Sequence, residues 1–121
     1  MQIIFGEPPK ELVEKYITLE LDTIQYAENA EPITAYCVIG GENVTLEEVS
    51  TLKEYANMHK ALMRNYRNQN WNFCEEAINS LRGKFKGEMD SFYEILGARI
   101  REYKTRNKNI TSDWDGILRK Y

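Results

Sequence analysis

An α+β fold is predicted by three features of the sequence. Two early stretches, residues 17–26 and 33–39, alternate their apolar residues or are rich in β-formers. Three later stretches between residues 45 and 104 repeat apolar residues every three or four positions. The chain then closes on an apolar cluster, Trp114, Ile117, Leu118 and Tyr121, where a tail is ordinarily polar and frayed. A period of two marks strands and a period near 3.6 marks helices. Strands that precede helices in this way are the pattern of an α+β protein. The expected architecture is a small antiparallel sheet from residues 2–39 packed on a three-helix layer. A Trp-containing C-terminal segment is expected to clamp across the helices, because only such packing covers the apolar faces of both layers.

The elements follow in order. Residues 2–5, Gln-Ile-Ile-Phe, read as a short strand ended by Gly6. Pro8 and Pro9 open a short helical segment over residues 10–16, since proline is tolerated in a first helical turn. Ile17, Leu19 and Leu21 then fall on one face and Thr18, Glu20 and Asp22 on the other, as in a half-buried strand. After Asp22 the apolar phase slips by one, to Ile24 and Tyr26, which a bulge at Asp22-Thr23 explains. Residues 27–32 form a polar connection. In the next run, Ile33, Ala35, Cys37 and Ile39 alternate with Thr34, Tyr36 and Val38. Apolar residues on both faces predict a central strand covered on each side. The short separation of the two runs predicts that they pair as a hairpin. Gly40-Gly41 ends the second run.

Thr45-Leu46-Glu47-Glu48 has the capping-box pattern, in which the hydroxyl caps the helix start and the acid three residues on returns the bond. Val49, Leu52, Ala56, His59, Leu62 or Met63, and Tyr66 then line one face of a long helix. Asn68-Gln69-Asn70 closes it. Trp71, Cys74, Ile78 and Leu81 mark a second helix, ended by Gly83. Phe85 lies in the connection that Gly83 and Gly87 bound. A third helix starts near Asp90, with Met89, Phe92, Leu96, Ile100 and Tyr103 on one face. Residues 104–109 read as a basic linker, and Thr111 or Ser112 as the cap of a last short helix.

A length of 121 residues with 42% hydrophobic residues fits one domain, residues 1–121, with a β-rich part (1–44) and a helical part (45–121). The first 40-odd residues alone would bury too little surface to stand apart. Mean hydropathy is -0.60, and no run approaches the roughly 20 apolar residues of a membrane helix. The start of the chain has no basic segment followed by a cleavage site. A cytoplasmic, non-membrane protein is the expectation. Cys37 and Cys74 are expected to be reduced core thiols. Two thiols and one histidine do not make a four-ligand zinc site, so neither metal nor cofactor is expected.

Residues 1–60 hold eleven acids and four bases, whereas residues 61–121 hold eight acids and twelve bases. Such asymmetry marks a basic binding face or halves that attract one another within or between chains. His59 is the single histidine. Its place on an apolar stripe fits a packed core residue; the sharper alternative is a catalytic or pH-sensitive group, with a strand carboxylate such as Asp22 as partner. Gly-x-Ser-x-Gly and phosphate-loop spacings are absent. Glu11, Glu14, Glu47, Glu48, Glu75 and Glu76 stand at helix-surface spacings and read as solvated faces.

A basic run, Arg99, Arg101, Lys104, Arg106 and Lys108, encloses Tyr103, and Arg82, Lys84 and Lys86 form another. Phosphate neutralisation beside a stacking aromatic is one use of such a pattern. A solvated helix C-terminus, where cations favour the macrodipole, is the other. Tyr66, Trp71, Phe92, Tyr93 and Trp114 are core by their spacing, but aromatics of this kind also anchor interfaces.

Residues 56–121 resemble the tetratricopeptide-like helical region that follows the catalytic domain in class III adenylate and guanylate cyclases. The likeness rests on Leu62, Tyr66, Trp71, Asp90, Tyr93 and Arg99, and on Trp114-Asp115-Gly116-Ile117 with Lys120. The chain departs from that pattern at Cys74, where an Ala is usual, and at Glu88-Met89, where a Pro usually precedes Asp90. The likeness covers none of the cyclase catalytic machinery, so it implies a packing or adaptor role and not nucleotide cyclisation. The runs Leu21-Asp22-Thr23-Ile24 and Thr34-Ala35-Tyr36-Cys37-Val38-Ile39 look like those of small uncharacterised tailed-bacteriophage proteins.

These features together predict a non-catalytic protein-interaction or oligomerisation module of phage-like or bacterial origin. Its partner-binding residues would be Tyr66, Trp71, Tyr93 and Trp114, and a homodimer is one form of it. One alternative is a nucleic-acid-associated protein using residues 99–108. The other is a small enzyme centred on His59 and an N-terminal carboxylate.

Overall fold

The computed structural model describes residues 2–40, 45–105, 114 and 116–120. Its elements run β1 (Gln2–Phe5), α1 (Lys10–Lys15), β2 (Ile17–Gln25), β3 (Ile33–Ile39), α2 (Leu46–Arg67), α3 (Trp71–Leu81), α4 (Asp90–Thr105) and β4 (Leu118–Arg119). The fold is α+β, as expected. The chain forms two compact units, one from Met1–Asn57 with Ile117–Tyr121 and the other from Met58–Gly116.

The first unit is built on a four-stranded sheet of order β1-β3-β2-β4. β3 pairs antiparallel with both β1 and β2, which makes residues 2–39 the antiparallel sheet that their alternation demands. Leu118 and Arg119 add a fourth strand parallel to β2, opposite Ile24 and Gln25, so the sheet as a whole is mixed. The tail therefore does more than the expected packing on helices: it satisfies backbone groups on an edge that would otherwise stand open. The β2–β3 register breaks between Glu20 and Thr23, at the bulge expected from the slipped apolar phase. Ile17, Leu19 and Leu21 are buried, whereas Thr18, Glu20 and Asp22 are half-buried. On β3, Cys37 and Val38 are both buried although they point to opposite faces. β3 is thus a covered, internal strand.

Local chemistry sets the ends of these elements. The Pro9 carbonyl accepts the amides of Leu12 and Val13 and starts α1. Gly40 ends β3 at φ +146, where a Cβ would stand 2.8 Å from Cδ1 of Tyr16. No side chain fits there. Thr45 caps α2, its hydroxyl accepting the amide of Glu48 at 3.2 Å. Gly41 lies outside the described residues.

The second unit holds the rest of α2 with α3 and α4. The buried face of α2 follows the predicted stripe: Leu52 and Ala56 are buried in the first unit, His59, Leu62, Met63 and Tyr66 in the second, and Val49 is half-buried. Cys74, Ala77, Ile78 and Leu81 are buried on α3, and Phe92, Tyr93, Leu96, Gly97 and Ile100 on α4. α3 and α4 run antiparallel, since Lys104 near the end of α4 meets Glu75 near the start of α3 at 2.7 Å. Their connection is a tight turn. The Gly83 amide donates to Oδ1 of Asp90 at 2.7 Å, and Phe85 and Met89 are sunk into the core. Lys104 and Thr105 still belong to α4, so no linker begins at Lys104. The linker beyond them and the cap expected at Thr111 or Ser112 lie outside the described residues. Among the described residues, no helix is long and apolar enough to cross a membrane.

α2 ends in a Schellman turn. The Asn70 amide donates to the Asn65 carbonyl at 2.9 Å and the Gln69 amide to the Tyr66 carbonyl at 3.1 Å. The residue forced into the left-handed region is Gln69, at φ 61. A side chain there costs about 1 kcal/mol that glycine avoids. Gln69→Gly is expected to raise stability by about 0.5–1 kcal/mol, read as a higher midpoint in urea. An unchanged or lower midpoint would count against the strain.

Cys37 and Cys74 are buried thiols outside any disulfide. The Cys74 thiol lies 3.7 Å from the Leu62 carbonyl, and burial first, then the Glu75 carboxylate, pushes its pKa up to about 12. Both thiols are expected to resist an aromatic disulfide reagent in the native protein and to react together on unfolding. Prompt labelling of either one in the native state would contradict this burial.

Candidate functional site

Three helix ends in the second unit bring aromatic rings together. Tyr66 lies in the last turn of α2, Trp71 opens α3 and Tyr103 lies in the last turn of α4. The Schellman turn places Tyr66 and Trp71 side by side, with ring centroids 5.9 Å apart. The antiparallel course of α4 then brings Tyr103 to 5.5 Å from Trp71 and 6.4 Å from Tyr66. These three rings form a receptacle.

Trp114 fills it. Its centroid stands 5.3 Å from Tyr66, 5.6 Å from Trp71 and 5.5 Å from Tyr103. The interplanar angles are 71°, 72° and 73°, so each contact sets an electropositive ring edge against an electron-rich face. Each such pair is worth about 0.5–1.5 kcal/mol beyond area burial. Gly116 follows at φ +79, where an added Cβ would lie 3.4 Å from Cε2 of Tyr66. Glycine meets the need for a left-handed backbone, and a Cβ there would make only ordinary contact with the ring.

The floor of the receptacle is held more firmly than its plug. Tyr66 is 2% exposed, whereas Trp71, Tyr103 and Trp114 are half-buried. The Arg99 guanidinium donates to the Tyr66 hydroxyl at 3.4 Å. Burial, opposed only in part by Arg99, holds that phenol protonated well above its usual range. Beside the rings, the Lys104 ammonium donates to Oε1 of Glu75 at 2.7 Å and to Oδ1 of Asn72 at 3.2 Å. Gln69, Trp71, Asn72 and Lys104 line a shallow cavity of about 250 Å³.

Of the four residues expected to meet a partner, Tyr66, Trp71 and Trp114 are brought together. Tyr93 is not with them. It is 0% exposed, and its hydroxyl shares a 2.9 Å hydrogen bond with Nδ1 of His59. Full burial leaves Tyr93 no surface to offer a partner, and Tyr66 almost none. The half-buried rings Trp71, Tyr103 and Trp114 are the accessible part of the cluster.

The basic run is also divided. Arg99 and Lys104 make internal hydrogen bonds, and Tyr103 packs on three aromatic neighbours, so its ring is already stacked. Arg101 is exposed on α4, and Arg106 and Lys108 lie outside the described residues. Glu75 reads in the sequence as a solvated helix position, and nothing in its spacing announces a bond to Lys104.

His59 is 0% exposed, with ring centroids 6.2 Å from Phe92 and 5.7 Å from Tyr93. A general base must reach its substrate, and this imidazole presents no surface to solvent in this fold. Among the described residues, no group of three His, Cys, Asp or Glu side chains could hold a metal ion.

Burial lowers the His59 pKa from 6.5 to about 4, which fixes the sign of its pH effect. The unfolded chain takes up a proton near pH 6.5 and the folded chain only near pH 4. The contribution to stability is therefore complete above pH 6.5, falls away between 6.5 and 4, and amounts to a loss on the order of 3 kcal/mol. His59→Gln is expected to remove this part of the acid loss, measured as the difference in unfolding free energy between pH 7 and pH 4. An equal loss in both proteins would refute the assignment.

Comparison of the chain with protein-family models, with curated proteins and with solved structures finds no match.

Proposed function

We propose that this chain is a non-catalytic protein-interaction or oligomerisation module. The observation that carries the proposal is the receptacle of Tyr66, Trp71 and Tyr103, which takes the indole of Trp114. Large aromatic anchors in a preformed pocket are the usual source of binding energy between proteins. The antiparallel α3–α4 pair agrees with the helical hairpin that a tetratricopeptide-like region would have. The side chains of Phe5, at 64% exposure, and Ile95, at 57%, add apolar contact surface of the kind that partners cover.

A homodimer is the simplest form of such a module, and the opposite charge of the two halves of the sequence favours contact between copies. A phage-like or bacterial source and a cytoplasmic setting belong to the same proposal. Nucleic acid is the less favoured partner. Arg99 and Lys104 spend hydrogen bonds within the unit, which leaves fewer cations to neutralise phosphates.

Size-exclusion chromatography with light scattering tests the proposal. The mass is expected to rise from that of the 14.2 kDa chain towards twice that value with concentration. A mass that stays monomeric up to about 1 mM would reject self-association, since millimolar dissociation is the weakest contact of use. Binding to single-stranded nucleic acid that falls steeply with salt would instead favour the phosphate reading.

A further inference from the structure

The receptacle is preformed without its plug. Tyr66 is set by the Schellman turn and by Arg99, Trp71 by the start of α3 and Tyr103 by α4. None of these placements needs Trp114. The plug arrives from a separate stretch of chain, and its ring stays half-buried while the floor is nearly sealed. Two residues on, Gly116 holds a left-handed φ of +79, a conformation that other side chains rarely adopt. The arrangement thus reads an indole and then a glycine two positions later. Charge follows the same division. Trp114 stands in the sequence between Asp113 and Asp115, whereas Arg67 adjoins Tyr66 and Arg99 bonds to it.

We propose that Tyr66, Trp71 and Tyr103 form a peptide-binding site for a Trp-x-Gly segment. The chain's own tail holds the site in cis, and the tail of a second copy is the partner it takes in trans. This builds on the interaction-module proposal and names the contact. A second copy is the fitting occupant because its tail carries the same indole that is seated among the three rings and the same glycine two positions on. A tethered segment competes at an effective concentration on the order of millimolar. Micromolar free peptide is therefore excluded from the wild-type site, and release of the tail exposes it.

The probe is a fluorescein-labelled peptide of residues 112–121, followed by fluorescence anisotropy against full-length chains. Two variants vacate the site by different routes. Trp114→Ala removes the plug, and Gly116→Val unseats it by backbone strain, since a β-branched residue avoids the left-handed φ of +79, while leaving every receptacle ring in place. Both variants are expected to bind one peptide per chain at least about tenfold more tightly than wild type does. The peptide with alanine in place of its Trp is expected to lose about tenfold or more. In a second arm, Trp114→Ala is mixed with Trp71→Ala, whose plug is free and whose receptacle is broken. A 1:1 heterodimer in the mixture, absent from either variant alone, is the expected result by analytical ultracentrifugation.

Failure of both vacated variants to bind the peptide better than wild type overturns the site. Peptide binding without heterodimer formation overturns the second copy as partner. Wild-type self-association that persists unchanged in Trp114→Ala overturns this inference while leaving the interaction module standing, so the two failures are distinguishable.

Discussion

A six-residue reversal governs the helical unit. Between Asn65 and Asn70 the chain ends one helix, turns through a left-handed Gln69 and begins the next. Asn70 secures the reversal twice, its amide donating to the Asn65 carbonyl and its side-chain nitrogen to Oδ1 of Asn65 at 2.8 Å. With no room for a flexible loop, the last aromatic of α2 and the first of α3 must touch. Tyr103 and Trp114 are then added to a pair whose geometry is already settled. Backbone hydrogen bonding thus decides where the aromatic surface is, and ring packing decides what it accepts.

The same unit separates two kinds of aromatic chemistry. About two to three turns away along the helices, His59, Phe92 and Tyr93 form a buried group in which Nδ1 of His59 and the Tyr93 hydroxyl share a hydrogen bond. A buried imidazole with a hydrogen-bond partner is tolerated because the neutral form avoids the cost of a buried charge. The group is buried, with His59 and Tyr93 fully so. Tyr66, Trp71, Tyr103 and Trp114 differ in one respect: their cluster reaches the surface. Accessibility, and not residue type, is what distinguishes a candidate site from a core here.

The tail serves both units by different physics. Trp114 contributes ring contacts to the helical unit, and Leu118 and Arg119 contribute backbone pairing to β2 of the sheet unit, where Lys120 also donates its amide to the Gln25 carbonyl at 2.9 Å. A two-residue strand is weak by itself. Such modest anchors suit a segment that binds and releases, and they are the physical basis on which an interaction role is proposed.

Much of the fold was legible before any coordinates. Period two in Ile17, Leu19 and Leu21, the phase slip at Asp22-Thr23, the Thr45 cap and the stripe from Leu52 to Tyr66 are local signals, carried by residues close in sequence. So the strands, the bulge and the helices could be read from side-chain periodicity and capping, and the docking of Trp114 from the apolar character of the tail. The parallel pairing of β4, the bond from Lys104 to Glu75 and the enclosure of Tyr93 could not. Each depends on residues distant in sequence meeting in space, and a stripe of aromatics looks the same whether its outer rings are sealed or open. Local hydrogen bonding and hydrophobic period determined which elements form. Only the tertiary packing decided which aromatic rings the surface keeps.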